Sequence, residues 1–263
     1  MALAVNAAAP TIAYSGTSGA VPSLTSGTFS PPAGLLLVAV ILDGTSSLGQ
    51  TIKVSDSTGT VYWYYPSERN EWGPATWLVG GFLPNAATNM TITVAVNPGN
   101  NVNIDYAFKV YSITGVTQGQ YPFGAIDNGR GAGNPYTTPA GLVTTRANSL
   151  VFFACEDFST VTGEQETSGS TYVAMANATA VIGAAGYKAV AAAGTAVGWT
   201  FDPTGTGTTD FAWCALEILE PLAAAANPGY SPPTTIPTND PVDPASTSQL
   251  VATKSGVQTG YGG

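Results

Sequence analysis

At 263 residues, 44% of them hydrophobic, the chain is long enough for a large domain whose core needs neither a metal nor a disulfide. Only 9% of residues are charged, and seven Lys and Arg against sixteen Asp and Glu leave a net charge of −9, which repels phosphate backbones and anionic membranes and argues against nucleic-acid binding. The absence of histidine removes the commonest general base, the usual partner of a Ser or Cys nucleophile, and the commonest metal ligand.

The opening MALAVNAAAP lacks the basic region of an export signal, and the longest apolar run, GLLLVAVIL at 34–42, is about half a bilayer span. The chain is expected to be made in a cytoplasm and to stay soluble. Residues 1–30, rich in Ala, Ser, Thr and Gly, read as an N-terminal arm carrying an edge strand at TIAYSG. From 31 to 220, runs of β-branched and aromatic residues alternate with Gly, Pro, Asn, Asp and Ser clusters, with no capped 3.6-residue period, so this body reads as all-β. The runs are 35–42, 51–56, 60–65, 76–82, 90–96, 105–113, 149–156, 171–176, 179–189, 196–201 and 210–219. AVAAAG at 189–194 is too short for a stable helix.

The body echoes itself. LLLVAVILD at 35–43 matches SLVFFACED at 149–157, and DYAFKVYSI at 105–113 matches DFAWCALEI at 210–218, which suggests a duplicated strand set with pseudo-repeats at 35–116 and 148–220. Each set alone would leave one face bare, so the expected fold is a single jelly-roll-like antiparallel β-sandwich with extended terminal arms. Neither face of 210–219 is cleanly polar, which marks a central strand covered on both sides, and Lys109 marks the wetter side of 105–113. The Gly-rich connection 117–147 contains DNGRGAG, which has the glycines of a phosphate cradle without the helix or the Lys that would follow, and reads as a loop. The oxygen-rich stretches 97–105 and 202–210 read as turns rather than calcium sites.

The densest patch of rings and charge is YWYYPSERNEW, 62–72. Strand parity sets Val61, Trp63 and Tyr65 against Tyr62 and Tyr64, Pro66 ends pairing, and Glu68, Arg69 and Glu71 fall on the following loop. Trp63 reads as core. Tyr62, Tyr64, Arg69 and Trp72 are the candidates for an interface or for stacking on a glycan. A two-carboxylate glycosidase would draw on Glu156 with Asp157 or Glu164 with Glu166, but solvated loop acids explain both pairs more simply. No S-x-x-K spacing supports a Ser–Lys nucleophile, and Cys155 and Cys214 sit in apolar runs as small buried hydrophobes. No catalytic residue, metal or cofactor is assigned.

Residues 221–263 hold seven prolines and only Asp240, Asp243 and Lys254 as charges. Such a segment cannot build a core and reads as an extended, partly polyproline-like arm that lies along a neighbouring subunit, with Pro228, Tyr230, Pro233, Pro237 and Tyr261 as its anchoring residues.

At PAGLLLVAVILDG, SDSTGTVYW, DYAFKVYSITGV and VTTRANSLVFFA the chain resembles the jelly-roll-like β-sandwich proteins of tailed-phage particles, especially decoration and minor tail proteins of phages that infect actinobacteria; the likeness covers roughly 30–220. The resemblance implies a non-enzymatic component of the virion surface, often a homo-oligomer such as a trimer, whose partners are the major capsid protein or tail proteins. Capsid decoration is the first expectation. A minor tail protein and a glycan-binding host-attachment module are the alternatives.

Overall fold

The computed structural model describes residues 2–7, 9–15, 23–44, 50–70, 73–97, 104–116, 121–132, 136–138, 141–157, 168–177, 181–201 and 210–221. Among these every regular element is a strand, as expected. The first half supplies β1 (Ala4–Asn6), β2 (Ala13–Tyr14), β3 (Ser23–Thr25), β4 (Gly34–Gly44), β5 (Thr51–Asp56), β6 (Tyr62–Asn70), β7 (Gly73–Leu83), β8 (Ile92–Asn97) and β9 (Ile104–Thr114). The second supplies β10 (Phe123–Ala132), β11 (Tyr136–Thr137), β12 (Leu142–Val143), β13 (Ser149–Asp157), β14 (Thr171–Asn177), β15 (Val181–Val190), β16 (Ala196–Val197), β17 (Thr200–Phe201) and β18 (Asp210–Ile218).

The duplication appears as two large antiparallel sheets built alike. The first runs β1-β9-β4-β7-β6, with β2 also on β9, and the second runs β10-β18-β13-β15-β14. The echoed pairs β4 and β13, and β9 and β18, hold the same places in the two orders. Each half keeps its own large sheet, and strands of the two halves do not interleave.

The two large sheets face each other through Leu35, Leu37, Ala39 and Ile41 of β4, Leu150, Phe152 and Ala154 of β13, and Cys214, Leu216 and Ile218 of β18. The outer face of the first sheet packs Leu36, Val38, Val40 and Leu42 against Val54 of β5 and Ile92, Val94 and Val96 of β8, in the small sheet β3-β8-β5. The outer face of the second packs Val151, Phe153, Trp213 and Ala215 under Tyr136, Val197, Trp199 and Phe201, carried on or beside the ribbons β11-β17 and β12-β16. The result is a stack of four β-layers with three apolar seams. The face that duplication threatened to leave bare is covered within each half by a small sheet, which is why Leu35 to Leu42 are all at most 1% exposed.

The edge strand expected at TIAYSG is β2, which pairs with β9 beside β1, while β3 pairs with β8 and Phe29 bridges Met90, so the pairing of these N-terminal residues extends beyond the one expected strand. Lys109 Nζ donates to Pro10 O at 2.7 Å, in the gap between β1 and β2. One segment differs from the expectation. The loop expected at DNGRGAG is largely strand, since Phe123–Ala132 forms the edge strand β10 on β18. Its glycines leave room for rings: a Cβ at Gly129 would lie 2.8 Å from the Trp213 indole, and one at Gly131 would collide with Tyr136.

Candidate functional site

β6 is the outer strand of the first large sheet and carries the aromatic patch. Its pairing with β7 runs Tyr62↔Phe82, Trp63↔Gly81 and Tyr64↔Gly80, then resumes at Ser67↔Leu78. Tyr65 and Pro66 therefore form a bulge. Pro66 does not end the strand as expected, because an edge strand can place a residue without an N–H in a bulge and resume its ladder beyond it. Glu68 and Arg69 accordingly lie in β6, paired with Trp77 and Thr76. Trp72 and Glu71 lie outside the described residues, as do Glu164, Glu166, Pro228, Tyr230, Pro233, Pro237 and Tyr261.

Each ring of the patch has a separate use. Trp63 packs on the first-half core over Gly81, where a Cβ would lie 2.6 Å from its indole. Tyr65 reaches the outer strand of the small sheet and accepts the Val54 N–H at 2.9 Å; burial raises its phenol above the ordinary value against that bond. Glu68 accepts from Trp77 Nε1 at 3.2 Å, and Ser67 Oγ donates to Ala215 O of the second half at 3.2 Å. Tyr64 meets Phe82, Tyr121 and Phe123 edge to face at 6.2–6.3 Å. Tyr62 is 46% exposed and Tyr121 63% exposed. The expected pair Tyr62 and Tyr64 is thus joined by Tyr121, which sequence reasoning left in a loop; the signal was the aromatic spacing of QYPF beside the glycines of β10.

The buried acids serve the fold. Glu217 is fully buried, and its carboxylate accepts from Ala125 N at 2.9 Å, Thr145 N at 2.9 Å, Thr145 Oγ1 at 2.7 Å and Arg146 N at 3.2 Å. Burial works to raise this carboxyl, and the four donors outweigh it, holding the pKa below the usual glutamate value. Gly124 makes the approach possible, because a Cβ there would strike Glu217 Oε2. Glu156 is likewise 0% exposed, so it is not the solvated acid expected; it lies on β13 opposite Gly183 and Ala212.

Potential nucleophiles are similarly committed. Cys155 and Cys214 are buried and form no disulfide with each other, one in each of the two cores flanking the second large sheet. Burial pushes the Cys214 thiol up to about 12 against the hydroxyls of Thr76 and Ser67, far from a thiolate at neutral pH. The structure does bring a Ser and a Lys together: Lys188 Nζ donates to Ser168 Oγ at 3.2 Å, beside a depression of about 480 Å³ lined by Lys188, Val190, Thr195 and Gly198. Ser168 Oγ in turn faces Gly198 O at 3.5 Å, so its proton is directed at a carbonyl and the pair ties residue 168 to its neighbours. Among the described residues no group of three or more His, Cys, Asp or Glu could hold a metal ion, and no helix is long and apolar enough to cross a membrane.

No protein-family model, curated protein or solved structure matches the chain.

Proposed function

We propose that this chain is a non-enzymatic structural protein on the exterior of a tailed-phage particle, a capsid decoration protein held to the lattice through residues 222–263. The observation that supports the reading is a body of four β-layers with three filled apolar seams, together with a sequence beyond residue 221 of Pro, Thr, Ser and Ala that carries only three charges. A nearly uncharged, proline-rich sequence suits repeated weak attachment, in which lattice valency multiplies small contact energies. Extended, 42 residues reach on the order of 100 Å, enough to cross to a neighbouring subunit.

Because β1 and β2 pair with β9 and β3 pairs with β8, this reading assigns the anchoring to the C-terminal residues. The test removes residues 222–263 and measures co-sedimentation with particles lacking the protein. Loss of binding with an unchanged thermal midpoint supports the reading, and undiminished binding overturns it. Mass spectrometry of purified particles separates the two locations: hundreds of copies indicate decoration of the head, a handful a minor tail position.

A further inference from the structure

Among the described strands of six residues or more, β5, β6, β10 and β14 lie at sheet edges, and the first three are guarded against pairing with another chain. β6 has the Tyr65–Pro66 bulge with Glu68 and Arg69. β10 has a register shift between Phe123 and Ile126 and carries Asp127 and Arg130. The edge formed by β1 and β2 is split around Pro10, and β5 carries Lys53 and Asp56 and gives its Val54 N–H to Tyr65. Interruption, charge and capping are the usual devices that keep sheet edges from associating.

β14, the outer strand of the second large sheet, has none of them. TYVAMAN pairs with β15 over seven consecutive residues, Thr171↔Tyr187 to Asn177↔Val181, without a shift, and contains no Pro, no Gly and none of the chain's charged residues. Among the described residues no strand pairs with its other side. Val, Tyr and Thr suit an extended pleated backbone, and Ala174 at its centre is exposed.

We propose that β14 is a self-association edge that pairs antiparallel with β14 of a second copy about a two-fold axis at Ala174, joining two five-stranded sheets into one of ten strands. The sequence about that axis is self-complementary in the way a two-fold contact requires. Ala174 falls opposite itself and Val173 opposite Met175, so small and apolar residues meet across the axis, and the backbone register continues from there to residues 171 and 177. With a net charge of −9 on each copy, a contact formed by an uncharged strand is the kind that two copies can make without direct repulsion. This inference concerns copies of the chain alone and stands apart from the particle reading.

The register makes the test sharp. Directly opposed Cα atoms in an antiparallel pair lie about 4.5–5.5 Å apart, within disulfide range, whereas the two copies of residue 171 would lie about 20 Å apart. In the full chain, Ala174→Cys is expected to form a disulfide-linked dimer under mild oxidation at least tenfold faster than Thr171→Cys, the native thiols being buried. Sedimentation of the unmodified chain should show a concentration-dependent species at twice the 26.6 kDa chain mass, and Ala174→Lys, which opposes two like charges at the axis, should abolish it with an unchanged far-ultraviolet spectrum. A chain that stays monomeric at high concentration, equal crosslinking at 174 and 171, or a dimer indifferent to Ala174→Lys overturns the proposal.

Discussion

Glu217 is a carboxylate that the fold consumes entirely. Its four donors come from the start of β10 and from the turn before β13, so one side chain fastens two elements to β18. Replacing it by Gln removes the charge and obliges an amide NH₂ to face donors, and Glu217→Gln is expected to lower the free energy of unfolding by about 3 kcal/mol, read by denaturant titration. Because the folded-state pKa is depressed, the stabilisation is full above the unfolded glutamate value of about 4.3 and fades as pH falls through the lower folded value. The gap between the native chain and the variant should therefore narrow below pH about 4. Tyr65 makes a smaller claim: Tyr65→Phe leaves Val54 N–H of β5 without its acceptor and should cost about 1 kcal/mol in the same titration. Neither role was legible in the sequence. Glu217 reads there as a polar interruption of an apolar strand, and only the pairing of β18 with β10 and β13 brings donors to it.

Strands β6, β7 and β10 show where residue propensity misleads at the scale of an element. Gly80 and Gly81 would weaken an isolated strand, yet each is overlaid by a ring, Phe123 on one face and Trp63 on the other. Gly81→Val is expected to displace Trp63, red-shift its fluorescence and cost about 1–3 kcal/mol by overpacking, whereas Gly59→Ala serves as a control that meets no neighbour and tests backbone strain alone, its φ being +65°. The same logic explains why the glycines of β10 read as loop: a glycine's missing side chain is a defect locally and a seat for Trp213 or Tyr136 once the sheet is assembled. Pro66 misleads in the same way, since its cost depends on whether the strand lies at an edge, which no local pattern records. Strands β4, β9, β13 and β18 were legible because their apolar runs are long, rich in aliphatic or aromatic residues, and bounded by turn residues.

At the scale of the molecule, the two halves share a core and should unfold together. Phe152 lies in the seam between the large sheets, with Tyr111 at 5.2 Å and Tyr187 at 5.3 Å between ring centroids, one ring from each half. Phe152→Ala is expected to cost about 3–5 kcal/mol while leaving one calorimetric transition whose van't Hoff and calorimetric enthalpies agree. Two separate transitions would mean that each half closes its own core without the other. The candidate site follows the same division. The sequence put Tyr62 and Tyr64 on one parity, but Tyr121 joins them only because β6 and β10 lie against each other at the same side of the stack.

The sequence by itself determined that the chain is all-β, that its strand sets repeat, and that its central strands are covered on both faces, because these follow from local residue pattern and from the two-residue period of a strand. The tertiary structure alone decided that the repeats form separate large sheets packed face to face, that β1 and β3 join them beside the expected edge strand, and that glycine, proline and glutamate at key places are structural seats. Those outcomes depend on which side chains arrive from distant parts of the chain, and a linear pattern carries no record of what lies across a seam.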